Sequence, residues 1–257
     1  MDAAMKNIRI IPLLNIKGPN AVKPVQTEAL RVVGNPQEMF LHYYEEGADE
    51  LIYLDIVASL YQRNLDFTLL KTITEKVFIP VTAGGGIRTI QDINNALRAG
   101  ADKVAINTYA TKNPEFLRTA SREFGSQCIT LFIEAKKQPD GHYLVYTDGG
   151  REKTNLDVYE WVQKGVELGA GEILICSIDR DGTRRGYDVE LIKKISQACG
   201  VPVIAHGGVG HKNSFLEAVH EGKADALAAS SVFHYQDYSI KELKTFLKTE
   251  GINVRTV

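Results

Sequence analysis

Two glycine runs are the residues best suited to bind an anion. GGG at 84–86 and GG at 207–208 each follow a short apolar segment and precede one with helical periodicity. Because glycine has no side chain, the backbone N–H groups of such a turn can approach a phosphate closely. Asn107–Thr108 and Ala229–Ser230 end the next apolar segment and add further donors. The pattern predicts a ligand with a phosphate at each end, unless the glycines only permit tight turns.

A carboxylate and an amide occupy the positions where an acid–base pair would be expected. Glu134 ends one predicted strand, and Asn15 ends the strand at the matching place in the first half of the chain. Two opposed carboxylates serve general acid–base catalysis, whereas an amide cannot exchange a proton near neutral pH. Asp179 and Asp181 could bind substrate hydroxyls or act as an acid, or they could simply cap helices.

These residues belong to an internal repeat of half the chain length. Gly85 in GGGIR and Gly208 in GGVG are 123 positions apart, and ADKVAINT recurs as ADALAASS at the same offset. Matches at one offset and in one order predict two related halves, about 1–122 and 123–257.

Short apolar runs alternate with amphipathic segments of helical length, which is typical of βα units and a parallel sheet. Eight such units over 257 residues predict an α/β protein with a single domain, 1–257, folded as a (βα)8 TIM barrel of two half-barrels. An open doubly wound sheet is the alternative, against which the repeat and the strand count argue. The predicted strands are 8–14, 50–55, 79–82, 103–107, 129–134, 172–177, 201–206 and 226–229.

Two connections are long. Segment 16–35 is predicted as a loop, and segment 136–156 is predicted to contain a small hairpin at 143–146. Pro36 and Pro114 stand where a first helical turn is expected to begin.

Alternation along the strands places four charged residues on inward faces at strand starts: Arg9, Glu50, Lys103 and Glu172. They predict a ring of two cations and two carboxylates on the barrel floor, below an apolar lumen. The residues alone favour a structural ion-pair plug. The alternative is a gate that passes neutral ammonia and excludes ammonium, whose desolvation is costly.

Composition excludes several classes of protein. Thirty basic and thirty-two acidic residues give a net charge of −2, which argues against a strongly basic nucleic-acid binder. No apolar stretch reaches membrane-spanning length, and the first residues lack a secretory signal. Cys128, Cys176 and Cys199 show neither disulfide nor zinc spacing. We expect a cytoplasmic, disulfide-free protein without a metal or other cofactor.

The motifs RIIPLLNIK, GADELIYLDI, GGGIR, GADKVAINT, FGSQ, GAGEIL, SIDRDGTRRGYD and ADALAASSVFH run in order through nearly the whole chain. Together they resemble the HisF family, the cyclase subunits of imidazole glycerol phosphate synthase. The resemblance implies a twofold barrel that receives ammonia through its floor from a HisH glutaminase. It implies lyase-type chemistry of histidine biosynthesis on a substrate with two phosphates.

The resemblance also implies roles for individual residues. One phosphate is expected at Gly86, Asn107 and Thr108. The other is expected at Asp181, Gly182, Gly208, Ala229 and Ser230. Arg9, Glu50, Lys103 and Glu172 become the expected ammonia gate, Asp102 and Gln127 the expected partner interface, and segment 16–35 a loop that closes over substrate.

The chain departs from the family where the chemistry occurs. The family pair is Asp and Asp, and this chain has Asn15 and Glu134, with Asp181 as the further acid. His206 replaces a usually small residue, and Pro24 replaces a loop glycine. These changes cluster at the predicted top of the barrel.

Three hypotheses follow. The first is a diverged HisF-type subunit that delivers ammonia to another acceptor, such as a nucleotide sugar in acetamidino-sugar or lipopolysaccharide synthesis, with a possible third partner enzyme. The second is an authentic cyclase, in which Glu134 and Asp181 compensate for Asn15. The third is a non-catalytic activator of the glutaminase. A single-chain sugar isomerase is a weaker fourth. The altered acid–base pair favours the first hypothesis.

Overall fold

The computed structural model describes residues 6–26 and 28–256, which form twelve β-strands and ten α-helices. The strands are β1 (Arg9–Lys17), β2 (Asn20–Val25), β3 (Glu28–Gly34), β4 (Leu51–Asp55), β5 (Val81–Gly84), β6 (Lys103–Ile106), β7 (Ile129–Lys137), β8 (Tyr143–Thr147), β9 (Glu152–Asp157), β10 (Glu172–Ser177), β11 (Val203–His206) and β12 (Ala226–Ala229). The helices are α1 (Pro36–Glu45), α2 (Phe67–Thr74), α3 (Ile90–Arg98), α4 (Thr108–Lys112), α5 (Glu115–Phe124), α6 (Val158–Glu167), α7 (Val189–Ala198), α8 (Lys212–His220), α9 (Ser231–His234) and α10 (Ile240–Thr249).

Eight of the strands pair in parallel and close into a barrel, in the order β1, β4, β5, β6, β7, β10, β11, β12. β12 pairs with β1, where Arg9 lies opposite Ala226, and β7 pairs with β10, where Thr130 lies opposite Glu172. An open sheet would leave two unpaired edges, so the predicted (βα)8 barrel is confirmed and the doubly wound alternative is wrong. β1–β6 and β7–β12 form the two half-barrels.

The helices begin where the sequence supplies capping groups. The Asn35 side chain accepts bonds from the first backbone N–H groups of α1, and Pro36 is its first residue, as predicted. Thr89 and Asp92 form a capping box at α3. Pro114 lies one position before α5. No helix in the described part of the chain is long and apolar enough to cross a membrane.

The prediction of an irregular loop at 16–35 is wrong. β1 continues to Lys17 and turns through Gly18, whose φ is +59°, into the antiparallel strand β2, which pairs with β3. A two-residue turn with a positive φ is the favoured way to join such strands. In the second half, β7, β8 and β9 form the corresponding antiparallel extension. The segment 143–146, predicted as a hairpin, is instead part of its central strand β8, and the turns lie on either side of it. The half-barrel repeat therefore includes these extensions above the barrel mouth.

Two apolar layers hold the fold together. The larger lies between the strands and the surrounding helices, with Tyr53, Phe40 and Phe215 among its largest fully buried side chains. The smaller fills the barrel lumen. Its buried members are Ile11, Leu13, Ile52, Leu54, Ala105, Leu174, Ile204, Ala226 and Ala228. The lumen thus separates a charged floor from a polar mouth.

Candidate active site

A cavity of about 840 Å³, partly open to solvent, lies at the carboxyl ends of the barrel strands. In such barrels this end carries the chemistry. Both half-barrels contribute to its wall. Its lining includes the residues predicted for catalysis and for the first phosphate, together with Asp181, namely Asn15, Gly86, Asn107, Thr108, Glu134 and Asp181.

Glu134 is a buried carboxyl group held by a neighbouring strand end. Asn107 Nδ2 donates a hydrogen bond of 2.9 Å to Glu134 Oε2. Burial raises the pKa of Glu134 to about 8, and the nearby charge of Asp181 adds to the increase, whereas a bond from the Gly150 N–H acts in the opposite direction. The carboxyl group is therefore largely protonated at neutral pH, which suits a general acid.

Asn15 lies on β1 and lines the same cavity as Glu134. It is buried and is opposite Leu54 of β4 in the sheet register. The Asn15 amide cannot titrate. Asn15 and Glu134 together therefore offer one group that can exchange a proton, whereas two carboxyl groups would offer two.

Asp181 forms a buried ion pair that the sequence analysis did not predict. Lys23 Nζ lies 2.8 Å from Asp181 Oδ1, and both side chains are buried. Lys23 reaches this position because β2 folds back over the mouth, which the loop prediction for 16–35 did not anticipate. The only signal in the sequence was a single basic residue beside Pro24.

The first predicted phosphate cradle is formed by turns that require glycine. Gly85 and Gly86 have φ of +104° and +71°, and a Cβ on either would collide with a backbone carbonyl oxygen. Thr108 Oγ1 accepts a bond of 3.1 Å from the Asp148 N–H. Ser59 and Arg151 also line this side of the cavity. Sequence reasoning missed both, although the GG that precedes Arg151 was a usable turn signal.

The second predicted cradle is a smaller pocket of about 210 Å³. Gly208 has a φ of +97°, and a Cβ there would collide with the carbonyl oxygen of Gly186. Ser230 Oγ donates a bond of 2.7 Å to the Leu13 carbonyl, so its hydroxyl proton is already used. The structure brings all five predicted residues together in this pocket, which are Asp181, Gly182, Gly208, Ala229 and Ser230.

The four charged side chains on the floor form a closed ring. Arg9 Nη1 and Nη2 lie 2.7 Å from Glu50 Oε1 and Glu172 Oε1. Lys103 Nζ lies 3.0 Å from the second oxygen of each carboxylate. Each carboxylate thus bridges both cations, in the arrangement that strand alternation predicts. Directly above the ring is the apolar lumen.

Comparisons with a family model and with individual known proteins agree on one family, and the matches span nearly all of the barrel. A family model described as "Histidine biosynthesis protein" matches residues 9–239. The chain is 56% identical over 211 residues to the "Imidazole glycerol phosphate synthase subunit HisF" of Legionella pneumophila, covering 82% of this chain and all of that relative. It is 45% identical over 247 residues to the protein of the same name from Alkaliphilus metalliredigens (strain QYMF), covering 96% and 98%. The chain belongs to the HisF family. It is therefore an enzyme subunit.

The two residues that the HisF resemblance assigned to a partner interface lie on the floor face. Asp102 Oδ2 accepts a bond of 2.8 Å from the Val81 N–H and thereby ties adjacent strands together. Asp49 and Asp225 make the same contact elsewhere in the ring of strands. Asp102 thus has a structural role within the chain, whatever it contacts outside.

Gly171 occupies the position before β10 that corresponds to Asp49, Asp102 and Asp225. It has no side chain that could tie the adjacent strands together there. A cavity of about 670 Å³, part of it open space, lies there beside Arg9, Lys103 and Glu172, and Gln127 lines it. The floor ring is therefore reached from outside at the one repeat position that lacks the strand-tying aspartate.

The described residues contain no group of three or more His, Cys, Asp or Glu side chains placed to hold a metal ion. The three cysteines are free thiols. Cys176 lines the cavity, but burial raises the pKa of its thiol well above the ordinary value, so a reactive thiolate is not available.

Proposed function

We propose that this chain is a HisF-type synthase subunit that works in the cytoplasm with a HisH-like glutaminase. It receives ammonia at the floor, passes it through the lumen and uses it at the mouth on a substrate with phosphate at each end. The observation that carries this proposal is the combination of a charged ring open to the floor cavity with two glycine cradles at the opposite end.

The ring suits a gate for a neutral molecule. Its ion pairs satisfy each other, so a small shift of Lys103 can open the centre without leaving a carboxylate unpaired. Arg9 would continue to bridge Glu50 and Glu172. The apolar lumen above favours ammonia over ammonium, because a buried ammonium ion would lose its hydration without a partner.

Within this function, we place the chain among diverged subunits that serve another acceptor, such as a nucleotide sugar of acetamidino-sugar synthesis in surface polysaccharide. The supporting observation is that Asn15, which lines the same cavity as the acid Glu134, carries an amide that cannot titrate. Proton transfer commonly contributes 10²–10⁴ in rate, so the loss of one acid–base group weakens cyclase chemistry strongly.

The second candidate is the authentic cyclase of histidine biosynthesis. It is supported by the relatives, which are both named HisF subunits of imidazole glycerol phosphate synthase, and by the completeness of both cradles. A carboxyl group with a pKa of about 8 can donate a proton and then accept one, so Glu134 could serve both steps.

The test is a cyclase assay of the purified chain with the phosphoribulosyl substrate of the HisF family and excess ammonium at alkaline pH. Ammonium removes the need for a glutaminase, so the assay isolates the mouth. It must detect about 10⁻⁴ of a typical kcat of ~10 s⁻¹. Turnover that is lost in Glu134→Gln would establish the cyclase and overturn the diverged acceptor.

No turnover from a folded chain that still binds a HisH-type glutaminase would support the diverged acceptor. Nucleotide sugars would then be tested as acceptors in the same assay. If every acceptor fails while the chain still stimulates glutamine hydrolysis, the protein is an activator and the synthase proposal is wrong.

A further inference from the structure

His206 stands at the junction of the cavity and the second cradle. It is the last residue of β11, directly before Gly207 and Gly208, and its side chain is buried. It lines both the main cavity and the smaller pocket. Its position therefore places the imidazole against any group that enters the second cradle.

The orientation of the ring follows from one contact. His206 Nδ1 lies 3.3 Å from the carbonyl oxygen of Ala228 on β12. A carbonyl oxygen can only accept, so Nδ1 carries the hydrogen and Nε2 is the nitrogen left for a ligand. In the neutral ring Nε2 has a lone pair, which would repel a phosphate oxygen. A second proton converts it into a donor.

The charges around the second cradle favour protonation of His206 Nε2 when an anion is bound. Lys23 is the cation of this pocket, and its ammonium group is already paired with Asp181. The other titratable neighbours of His206 are Cys176, its register partner on β10, and His234 on α9. A phosphate dianion would therefore enter a pocket with no net positive charge, in a buried place where an uncompensated charge is costly.

The imidazole is neutral before any ligand binds. Burial lowers the pKa of His206 to about 4, and Lys23 contributes to the decrease, whereas Asp181 opposes it. Glu134, which shares the cavity, is largely protonated at neutral pH. An anion in the cradle would add negative charge next to the ring, which favours the protonated form.

We propose that His206 takes up a proton when a phosphate enters the second cradle and donates a hydrogen bond from Nε2 to that phosphate. The proposal rests on the proposed function, which supplies a phosphate at this end. Protonation moves one proton from solvent to the ring and completes the charge balance of the pocket. His206 is thus a specificity residue that makes this end of the site select a dianion over a neutral group.

The experiment is an anion titration of the full chain by calorimetry at pH 6, in two buffers of different ionisation enthalpy. The probes are inorganic phosphate and sulfate, because sulfate is a dianion that does not itself titrate near neutral pH. Uptake of close to one proton per chain is expected when sulfate fills the second cradle, whatever number of sulfate ions the first cradle binds. Histidine labelled with ¹³C at Cε1 reports the ring directly, and the His206 signal should move to its imidazolium position during the titration.

Variants separate the two parts of the proposal. His206→Ser should abolish the proton uptake. It should also weaken the binding of phosphate and of sulfate in the second cradle roughly tenfold, which is the effect of losing one charge-assisted hydrogen bond. His206→Gln keeps a donor that does not titrate, so it should retain part of the affinity without uptake. His220→Ser, at an exposed site at the end of α8, is the matched control and should change neither quantity.

Anion binding without proton uptake and with an unmoved His206 signal would overturn the role of His206 and leave the cradles intact. Absence of any anion binding would instead overturn the phosphate sites of the proposed function, and this inference with them. If a variant fails to fold, the titration of the unaltered chain still decides between these results.

Discussion

Asn107 Nδ2 donates a 2.9 Å hydrogen bond to Glu134 Oε2, so a residue of the first half-barrel holds the acid of the second. Asn107 follows β6 and Glu134 lies on β7, and these strands are neighbours where the two halves meet. The bond orients the carboxyl group while burial keeps its proton near neutral pH. The orientation of the Glu134 carboxyl group therefore depends on a contact between the two half-barrels, and its protonation depends on its buried position.

Glu134 should make the stability of the protein fall as pH rises. Its pKa is about 8 in the folded chain, against 4.5 ordinarily, so between these values unfolding releases its proton. We expect the free energy of unfolding to decrease by up to about 1.4 kcal/mol per pH unit in this window, relative to Glu134→Gln. The difference should level off as the pH rises through the folded-state pKa of about 8 and become constant about one pH unit above it. Urea denaturation of both proteins from pH 5 to 9 measures it.

Glu152→Gln, on an exposed part of β9, is the control for that series and should parallel the unaltered chain at every pH. Parallel curves for Glu134→Gln as well would show that Glu134 ionises as an ordinary carboxylate. Its assignment as a general acid at neutral pH would then be wrong.

The buried pair of Lys23 and Asp181 should couple the β2–β3 hairpin to the barrel. Lys23→Met leaves a buried carboxylate without its cation, and we expect a loss of about 3 kcal/mol in the free energy of unfolding. Adding Asp181→Asn should recover much of that loss, because no unpaired charge remains. Lys17→Met, at an exposed site on β1, should change stability by less than about 0.5 kcal/mol.

A double-mutant cycle in urea measures this coupling. Strictly additive effects of Lys23→Met and Asp181→Asn would show that the two groups do not interact in solution. The hairpin would then be docked by its backbone contacts, such as the 3.0 Å bond from the Gln26 N–H to the Asp181 carbonyl.

Much of the barrel was predictable because its signals are local or periodic. Alternating strands, helical segments and the offset between Gly85 and Gly208 can all be recognised without distant contacts. The floor ring also followed, since strand alternation gives the direction of Arg9 and its partners and barrel closure brings them together. β10 and β12 have the predicted bounds.

The parts that were missed depend on distant contacts or on unusual turns. Gly18 and Pro19 resemble a loop, and Pro24 is uncommon inside a strand, so β2 and β3 gave no clear strand pattern. Lys23 and Asp181 are 158 positions apart and meet only because that hairpin folds over the mouth. The high pKa of Glu134 likewise depends on the depth of the cavity.

Lys103 should control the transfer of ammonia if the ring is a gate. In a complex with a HisH-type glutaminase, Lys103→Met should release ammonia to solvent, so glutamate formation should exceed product formation severalfold. Because Lys103 remains 17% exposed, the loss of its ion pairs should cost only about 1–2 kcal/mol of stability. Parallel assays of glutamate and aminated product measure the coupling.

Lys248→Met, on the exposed face of α10, is the matched control and should leave the ratio unchanged. Unchanged coupling in Lys103→Met, in a folded complex of normal affinity, would return the ring to the structural plug that the residues alone favoured.

Asn15 should limit cyclase chemistry, because it lines the same cavity as Glu134 with an amide that cannot titrate. Asn15→Asp restores a second carboxyl group opposite Glu134, and we expect the ammonium-dependent cyclase rate to rise by about 10²–10⁴. A second negative charge in the cavity should also raise the pKa of Glu134 further and lower stability slightly. Asn20→Asp makes the same chemical change at the exposed first residue of β2 and should leave the rate unaltered. Equal rates in the native chain and Asn15→Asp would show that Asn15 does not limit the reaction, and Glu134 would then be sufficient for the proton transfers at the mouth.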